Sequence, residues 1–202
     1  MVLKRVEVVL AGDSAMGWSM QRIYLCSLTP EEYATSRAHL QVRPEEACPC
    51  CNQVGPLHGH GSYARGITAA TGKVMPIRIA RFLCLGCGRT ISYLPSFALS
   101  YRLVQTETFE AFLEGRSDRR DVQAWADLLR QYRRRMLAYG SELWQAISGE
   151  FGRCRAPPPG STLWPYLKEA YGSLAAATRR LVTQFKITIF ARYQCHQPAA
   201  AG

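Results

Sequence analysis

Hydrophobic and polar positions alternate with a period of two in the first half of the chain and recur every three to four residues in the second. Val6, Val8 and Leu10 fall on every second position and predict a strand ending at a Gly12-Asp13 turn; Ile23 to Cys26 reads as another. Thr29-Pro30-Glu31-Glu32 is a helix start, with Thr29 as N-cap, Pro30 in the first turn and Glu32 placed to close a capping box, for a short helix to about His39. Gly61 to Gly66 and Val74 to Leu83 flank a turn at Thr71-Gly72, and Ile77 and Ile79 alternate with Arg78 and Ala80. Thr90 to Tyr93 continues the strand pattern.

Beyond Leu94-Pro95 the period becomes helical. Leu103 to Leu113 predicts one helix, with Phe109, Phe112 and Leu113 apolar and Gly115 as its stop. Ser117 or Asp118 then caps a longer helix, whose Val122, Trp125, Leu129, Tyr132 and Met136 step by three and four. Gly140-Ser141 breaks it before Leu143 to Ile147. Ala156-Pro157-Pro158-Pro159-Gly160 has the composition of a linker. Ser161 to about Phe185 reads as helical, Phe185 to Tyr193 as strand or helix, and the end from Pro198 should fray.

Two cysteine turns, Cys48-Pro49-Cys50-Cys51-Asn52 and Cys84-Leu85-Gly86-Cys87-Gly88, bracket the two-residue-period region. Each C-x-x-C turn aims two thiolates at one point, and two turns supply the four soft, tetrahedral ligands that Zn²⁺ prefers. Asn52 and Gly88 follow the second cysteine of each turn, where a knuckle needs a residue tolerant of positive φ. One structural zinc on Cys48, Cys51, Cys84 and Cys87 is therefore expected. Cys50, inside the first turn, would point away as a spare thiol, and His58 and His60 read as strand or loop residues. A sheet this small buries too little apolar surface to stand alone, so a zinc clamp suits it.

The expected fold is α+β: a small zinc-ribbon antiparallel sheet followed by a helix-turn-helix-like region. Its divisions are 1–97 for the strands and ribbon, 98–152 for the helical region, 153–160 for the linker and 161–202 for a C-terminal helical segment.

Composition adds a partner. Of 202 residues, 25 are Lys or Arg against 15 Asp or Glu, for a formal charge of +10, and most of the basic residues are arginine. Such a chain attracts polyanions, and the planar guanidinium fork suits phosphate and guanine edges. The long helix carries a matching stripe opposite its apolar one, Arg120, Gln123, Asp127, Arg130 and Arg134, with Arg116 and Arg119 at its entrance and Arg133 and Arg135 on the flanks. The stripe reads either as a nucleic-acid surface or as a solvated face with Asp127 pairing to Arg130 or Arg134. The N-terminal pattern lacks a signal peptide's features and no run approaches the roughly 18 apolar residues of a membrane span, so a cytoplasmic protein is expected, nucleoid-associated if it binds DNA. The eight cysteines then read as metal ligands and thiols rather than disulfides.

Gly12-Asp13-Ser14 after a strand also matches the first block of the Gly-Asp-Ser hydrolases. A nucleophilic Ser14 would need a late histidine with an aspartate three residues earlier. The only late histidine is His196, and Tyr193 stands in the aspartate's place, so the motif reads as a turn and no catalytic residue is expected.

His58-Gly59-His60-Gly61-Ser62-Tyr63-Ala64-Arg65, Arg81 to Thr90 and Leu94-Pro95-Ser96-Phe97 resemble the N-terminal zinc-binding regions of bacterial insertion-sequence transposases and their short stand-alone relatives, over about Ile23 to Trp125. The resemblance implies zinc on the same four cysteines and a helix-turn-helix formed by the helices after Tyr101. Asn52 departs from it, standing where the knuckle usually has glycine. A full transposase also carries an acidic, two-metal strand-transfer domain, whereas Glu142, Glu150 and Glu169 are the only acidic residues after Asp127. The sequence thus leads to a zinc-binding, DNA-binding protein without strand chemistry of its own. Arg119, Arg120 and Gln123 would read bases, and Arg130, Arg133 and Arg134 would contact phosphates, with Arg116 nearby. The alternative is a zinc-stapled interaction module, partner to a separate recombinase or transposase.

Overall fold

A computed structural model describes residues 19–55, 57–100, 102–151, 161–185 and 187–190. The Val6 to Leu10 strand, the Gly12-Asp13-Ser14 turn, the Pro-rich linker and the end from Pro198 lie outside them.

The architecture is α+β: one four-stranded sheet and a layer of helices. Strands β1 (Ser19–Tyr24), β2 (His58–Thr68), β3 (Val74–Leu83) and β4 (Thr90–Pro95) lie in the order β1-β4-β3-β2. The pairs β2–β3 and β3–β4 are antiparallel, while β1 joins β4 in parallel, Ser19 opposite Thr90 and Tyr24 opposite Pro95. The expected antiparallel ribbon is therefore extended by a parallel edge strand. Such a pairing needs a long crossover, supplied here by everything between Cys26 and Cys87.

Helix α1 (Pro30–Thr35) starts as its residues dictate. The Glu32 amide donates to the Thr29 hydroxyl at 3.2 Å and the Thr29 amide to the Glu32 carboxylate at 2.9 Å, a complete capping box. It is shorter than expected. The chain turns at Arg37, which holds a left-handed φ of 53°, and continues as a 3-10 turn over Ala38–Gln41. Tyr33 anchors α1 on the sheet, fully buried, with its hydroxyl donating to the Arg78 carbonyl at 3.1 Å and its ring edge-on to Phe97 at 5.5 Å.

The helical layer comprises α2 (Thr106–Leu113), α3 (Arg120–Ala124), α4 (Ala126–Ala138), α5 (Gly140–Ile147), α6 (Trp164–Tyr171) and α7 (Leu174–Arg180), the last continuing as a π turn to Phe185. They share one apolar cluster around Phe109, Leu129, Leu143, Leu167 and Leu181, which Ile187, Ile189 and Phe190 complete. The helices after the linker are also tied to those before it: the Leu174 amide donates to Glu110 at 2.8 Å, Lys168 pairs with Glu114, and Tyr171 and Arg180 both reach Glu150. Residues 187–190 are non-helical.

The single long helix expected from Ser117 or Asp118 is two. Neither residue caps it; α3 begins after Arg119 with no side-chain cap, and the helix breaks at Trp125, where φ is −118° and ψ is 17°. The cause is tertiary. The Trp125 indole donates to the Gly72 carbonyl at 2.8 Å, fastening the tip of the β2–β3 hairpin to the helices. Gly72 permits the approach: its φ is 79°, and a Cβ there would lie 2.9 Å from the Ala124 Cβ. Trp125 is thus half-buried at the seam rather than enclosed within the helical core.

Candidate metal centre and the basic helix face

The two cysteine turns fold alike. In the first, the Cys48 amide donates to the Gln53 carbonyl at 3.0 Å and the Asn52 amide to the Cys48 carbonyl at 2.8 Å. In the second, the Cys84 amide donates to Arg89 at 2.9 Å and the Gly88 amide to Cys84 at 2.8 Å. Asn52 and Gly88 occupy the equivalent left-handed position, at φ 58° and 67°. Asparagine tolerates that region better than most residues, which is why Asn52 serves where glycine is usual. The turns also press together, since a Cβ on Gly86 would meet the Gln53 side chain at 1.6 Å.

β3 ends and β4 begins at the second turn, so strand pairing carries Cys84 and Cys87 to the first turn. The Sγ atoms of Cys48, Cys51, Cys84 and Cys87 all lie within 4.8 Å of one another, with Cys48 to Cys87 at 3.8 Å and Cys51 to Cys84 at 3.9 Å. These four could hold a metal ion. Tetrahedral zinc with bonds of about 2.3 Å requires sulfurs about 3.8 Å apart, whereas a disulfide would bring them to about 2.05 Å. The four thiols are free, Cys48 and Cys84 buried and Cys51 exposed.

Electrostatics at the centre favours deprotonation unevenly. The Cys87 amide is the largest of several hydrogen-bonding influences that bring the Cys84 pKa down to about 7, while burial raises Cys87 to about 12. A divalent cation would favour the thiolate at every ligand. Leu57, Ile91 and Tyr93 form the apolar floor, with Phe82 edge-on to Tyr93 at 5.3 Å and the Glu45 amide donating to the Tyr93 hydroxyl at 3.0 Å. Cys50 stands apart: its thiol contacts the Met20 sulfur at 3.7 Å, and burial pushes its pKa up to about 11. His58 and His60 are exposed on β2 and do not join the cluster.

The basic stripe lies across α3 and α4. Leu129, Tyr132 and Met136 face the core, while Arg130, Arg133 and Arg134 are exposed on α4, and Arg120 and Gln123 are exposed on α3. Arg130 pairs with Asp127, Arg116 with Glu114 at 2.8 Å, and the Gln123 side-chain Nε2 donates to the Ser117 carbonyl at 3.0 Å. Among the described residues Arg120, Arg133 and Arg134 make no ion pair.

Arg119 is differently placed. Its guanidinium bonds Asp121 and Glu107 at 2.7 to 3.0 Å, and the Asp121 carboxylate, almost fully buried, also accepts from the Thr108 hydroxyl and the Val122 amide. Burial works against that carboxylate's charge, but these partners outweigh it and hold its pKa below the ordinary range. Arg119 thus joins α2 to α3. Sequence reasoning overlooked this buried network, because only the packing of α2 against α3 buries Asp121 and turns Arg119 inward.

A family model described as a domain of unknown function (DUF6431) matches residues 48–132. The similarity begins at the first ligand-type cysteine and runs through both knuckles, the hairpin and the helices as far as Tyr132. No curated protein and no solved structure matches the chain. No described helix is long and apolar enough to cross a membrane.

Proposed function

We propose that this chain is a zinc-stapled DNA-binding protein, related to the N-terminal zinc-binding regions of insertion-sequence transposases and performing no strand chemistry itself. The thiol spacing favours one zinc on Cys48, Cys51, Cys84 and Cys87. What carries the nucleic-acid reading is α4, where one face is buried and the exposed side presents Arg130 and Arg134, with Arg133 exposed on the flank. Clustered, exposed guanidiniums on a rigid helix suit phosphate contacts. Arg120 and Gln123 are the remaining candidates for base edges, with Arg116 at the margin. Arg119 supports the surface from behind, because its donors are engaged by Asp121 and Glu107.

Two measurements test this. Metal analysis should find about one zinc per wild-type chain, as a single four-thiolate site holds. Cys84→Ser should lose it and Cys50→Ser should keep it; a full equivalent in Cys84→Ser would remove the assignment. For DNA, gel-shift titrations at rising salt should give a steep log–log slope, reduced by about 2–3 in the Arg130→Ala/Arg133→Ala/Arg134→Ala variant as three phosphate contacts disappear. An unchanged affinity and slope would instead support the second reading, an interaction module serving a separate recombinase or transposase. That reading draws on the same features, because a metal-fixed platform with a polar helix face also suits a protein partner.

A further inference from the structure

The turn after α1 meets β3 at a cleft that shares no residue with the cysteine cluster or the basic stripe. Ala34, Arg37, His39, Leu40, Pro76 and Arg78 line an open cleft of about 410 Å³, within the size range of small-ligand sites. None of the six is acidic, and neither Arg37 nor Arg78 takes part in any ion pair among the described residues. The Arg78 guanidinium and the Arg37 backbone are both fixed by the fold. The Arg78 guanidinium donates to the Ser62 hydroxyl at 2.9 Å and carbonyl at 3.3 Å, which fixes its direction. Arg37 sits in the left-handed region at φ 53°, a strained conformation for an arginine, and does so where the chain turns from α1 toward His39.

We propose that this cleft binds a phosphate ester, its charged oxygens between Arg37, Arg78 and His39 and its organic part against Leu40, Pro76 and Ala34. Like charges gathered without a counter-ion repel one another, and an anion between them reverses the sign of that interaction. Two guanidiniums and an imidazole supply more donors than a single carboxylate needs, and their arrangement on two different elements suits a multi-oxygen anion. The apolar rim distinguishes an ester from the free ion, since Leu40 is 70% exposed beside the cations. Burial and the charges of Arg78 and Arg37 lower the His39 pKa, consistent with crowded cations there. The inference is independent of α4 binding DNA.

The test uses the full, zinc-loaded chain and isothermal titration with three probes: ADP, inorganic phosphate and a single-stranded thymidine oligonucleotide. ADP is expected to bind more tightly than phosphate, and Arg37→Gly and Arg78→Ala are each expected to weaken it by about tenfold, as loss of one charge-assisted contact would. Arg37→Gly separates binding from folding, because glycine relieves the backbone strain and its Tm should stay equal or rise while binding falls. If the oligonucleotide alone responds to these two substitutions, the phosphate comes from a nucleic-acid backbone; if ADP responds, it comes from a nucleotide. The triple α4 variant should leave ADP binding unchanged, so failure of the DNA reading would not resemble failure of this one. Absence of binding by all three probes at millimolar concentration, or binding indifferent to both substitutions, overturns the proposal.

Discussion

At the knuckle end of the sheet the buried cluster is Cys48, Leu57, Cys84, Ile91 and Tyr93, two of the five being thiols; in the helical layer nineteen described side chains share one core. The helical layer has aromatic contacts as well, with Phe109 near Tyr132 at 5.8 Å and Phe190 at 5.7 Å. Apolar burial scales with the area removed from water, so the larger cluster can support itself. The smaller one cannot on the same terms. It relies on hydrogen-bonded turns and on whatever draws the four sulfurs together, which makes it the region whose order should depend on a metal.

The largest effect should come from chelation. Stripping the proposed zinc with a strong chelator is expected to cost about 10 kcal/mol of binding free energy at the knuckles, the scale of structural zinc. Amide exchange should then rise around Cys48–Gly55 and Cys84–Thr90 while protection in α4 and α7 persists. Simultaneous loss in both regions would show that the helical core also depends on the centre.

Phe109→Ala probes the opposite side. A fully buried phenylalanine should cost about 3–5 kcal/mol in denaturant unfolding. The zinc content of the folded fraction should not change.

Asp121→Ala should cost roughly 1.5–3 kcal/mol, from charge-assisted bonds to Arg119 together with those to Thr108 and the Val122 amide. Its pH dependence is distinctive. The folded carboxyl pKa lies below the ordinary value, so the stabilisation is complete above the unfolded carboxylate range and is lost as pH falls through the folded pKa. The stability difference between wild type and variant should therefore shrink in acid; a constant difference would indicate that packing, not charge, supplies it.

The smallest effect belongs to the seam between the regions. Trp125→Phe keeps most of the ring but removes the bond to the Gly72 carbonyl, for about 0.5–1.5 kcal/mol. Amide exchange at Thr71–Lys73 should increase more than in the sheet centre. Equal protection there would mean that the hairpin tip does not need this contact.

How far each region was legible follows from the range of its interactions. The knuckles were read from spacing because their geometry is closed within six residues, down to the positive φ of Asn52 and Gly88. The α1 capping box was legible for the same reason. The division of the long helix was not. The apolar step from Val122 through Trp125 to Leu129 continues without a breaker, and only the hairpin tip from 53 residues earlier supplies the partner that draws Trp125 aside. Arg119 likewise looked like a member of a basic stripe, until burial of Asp121 gave its guanidinium an internal partner.

By itself the sequence determined the α+β class, the two matched thiol turns, the capping box of α1 and the opposite apolar and basic faces of α4. Each depends on residues near one another along the chain, where backbone geometry fixes the outcome. Tertiary structure decided the parallel entry of β1 beside β4, the break at Trp125, the engagement of Arg119 and the meeting of Arg37 and His39 with Arg78. All but one depend on segments tens of residues apart, which neither period nor propensity relates; Arg119 depends on α2 packing against α3, which buries Asp121, and pairing and burial bring all of them together.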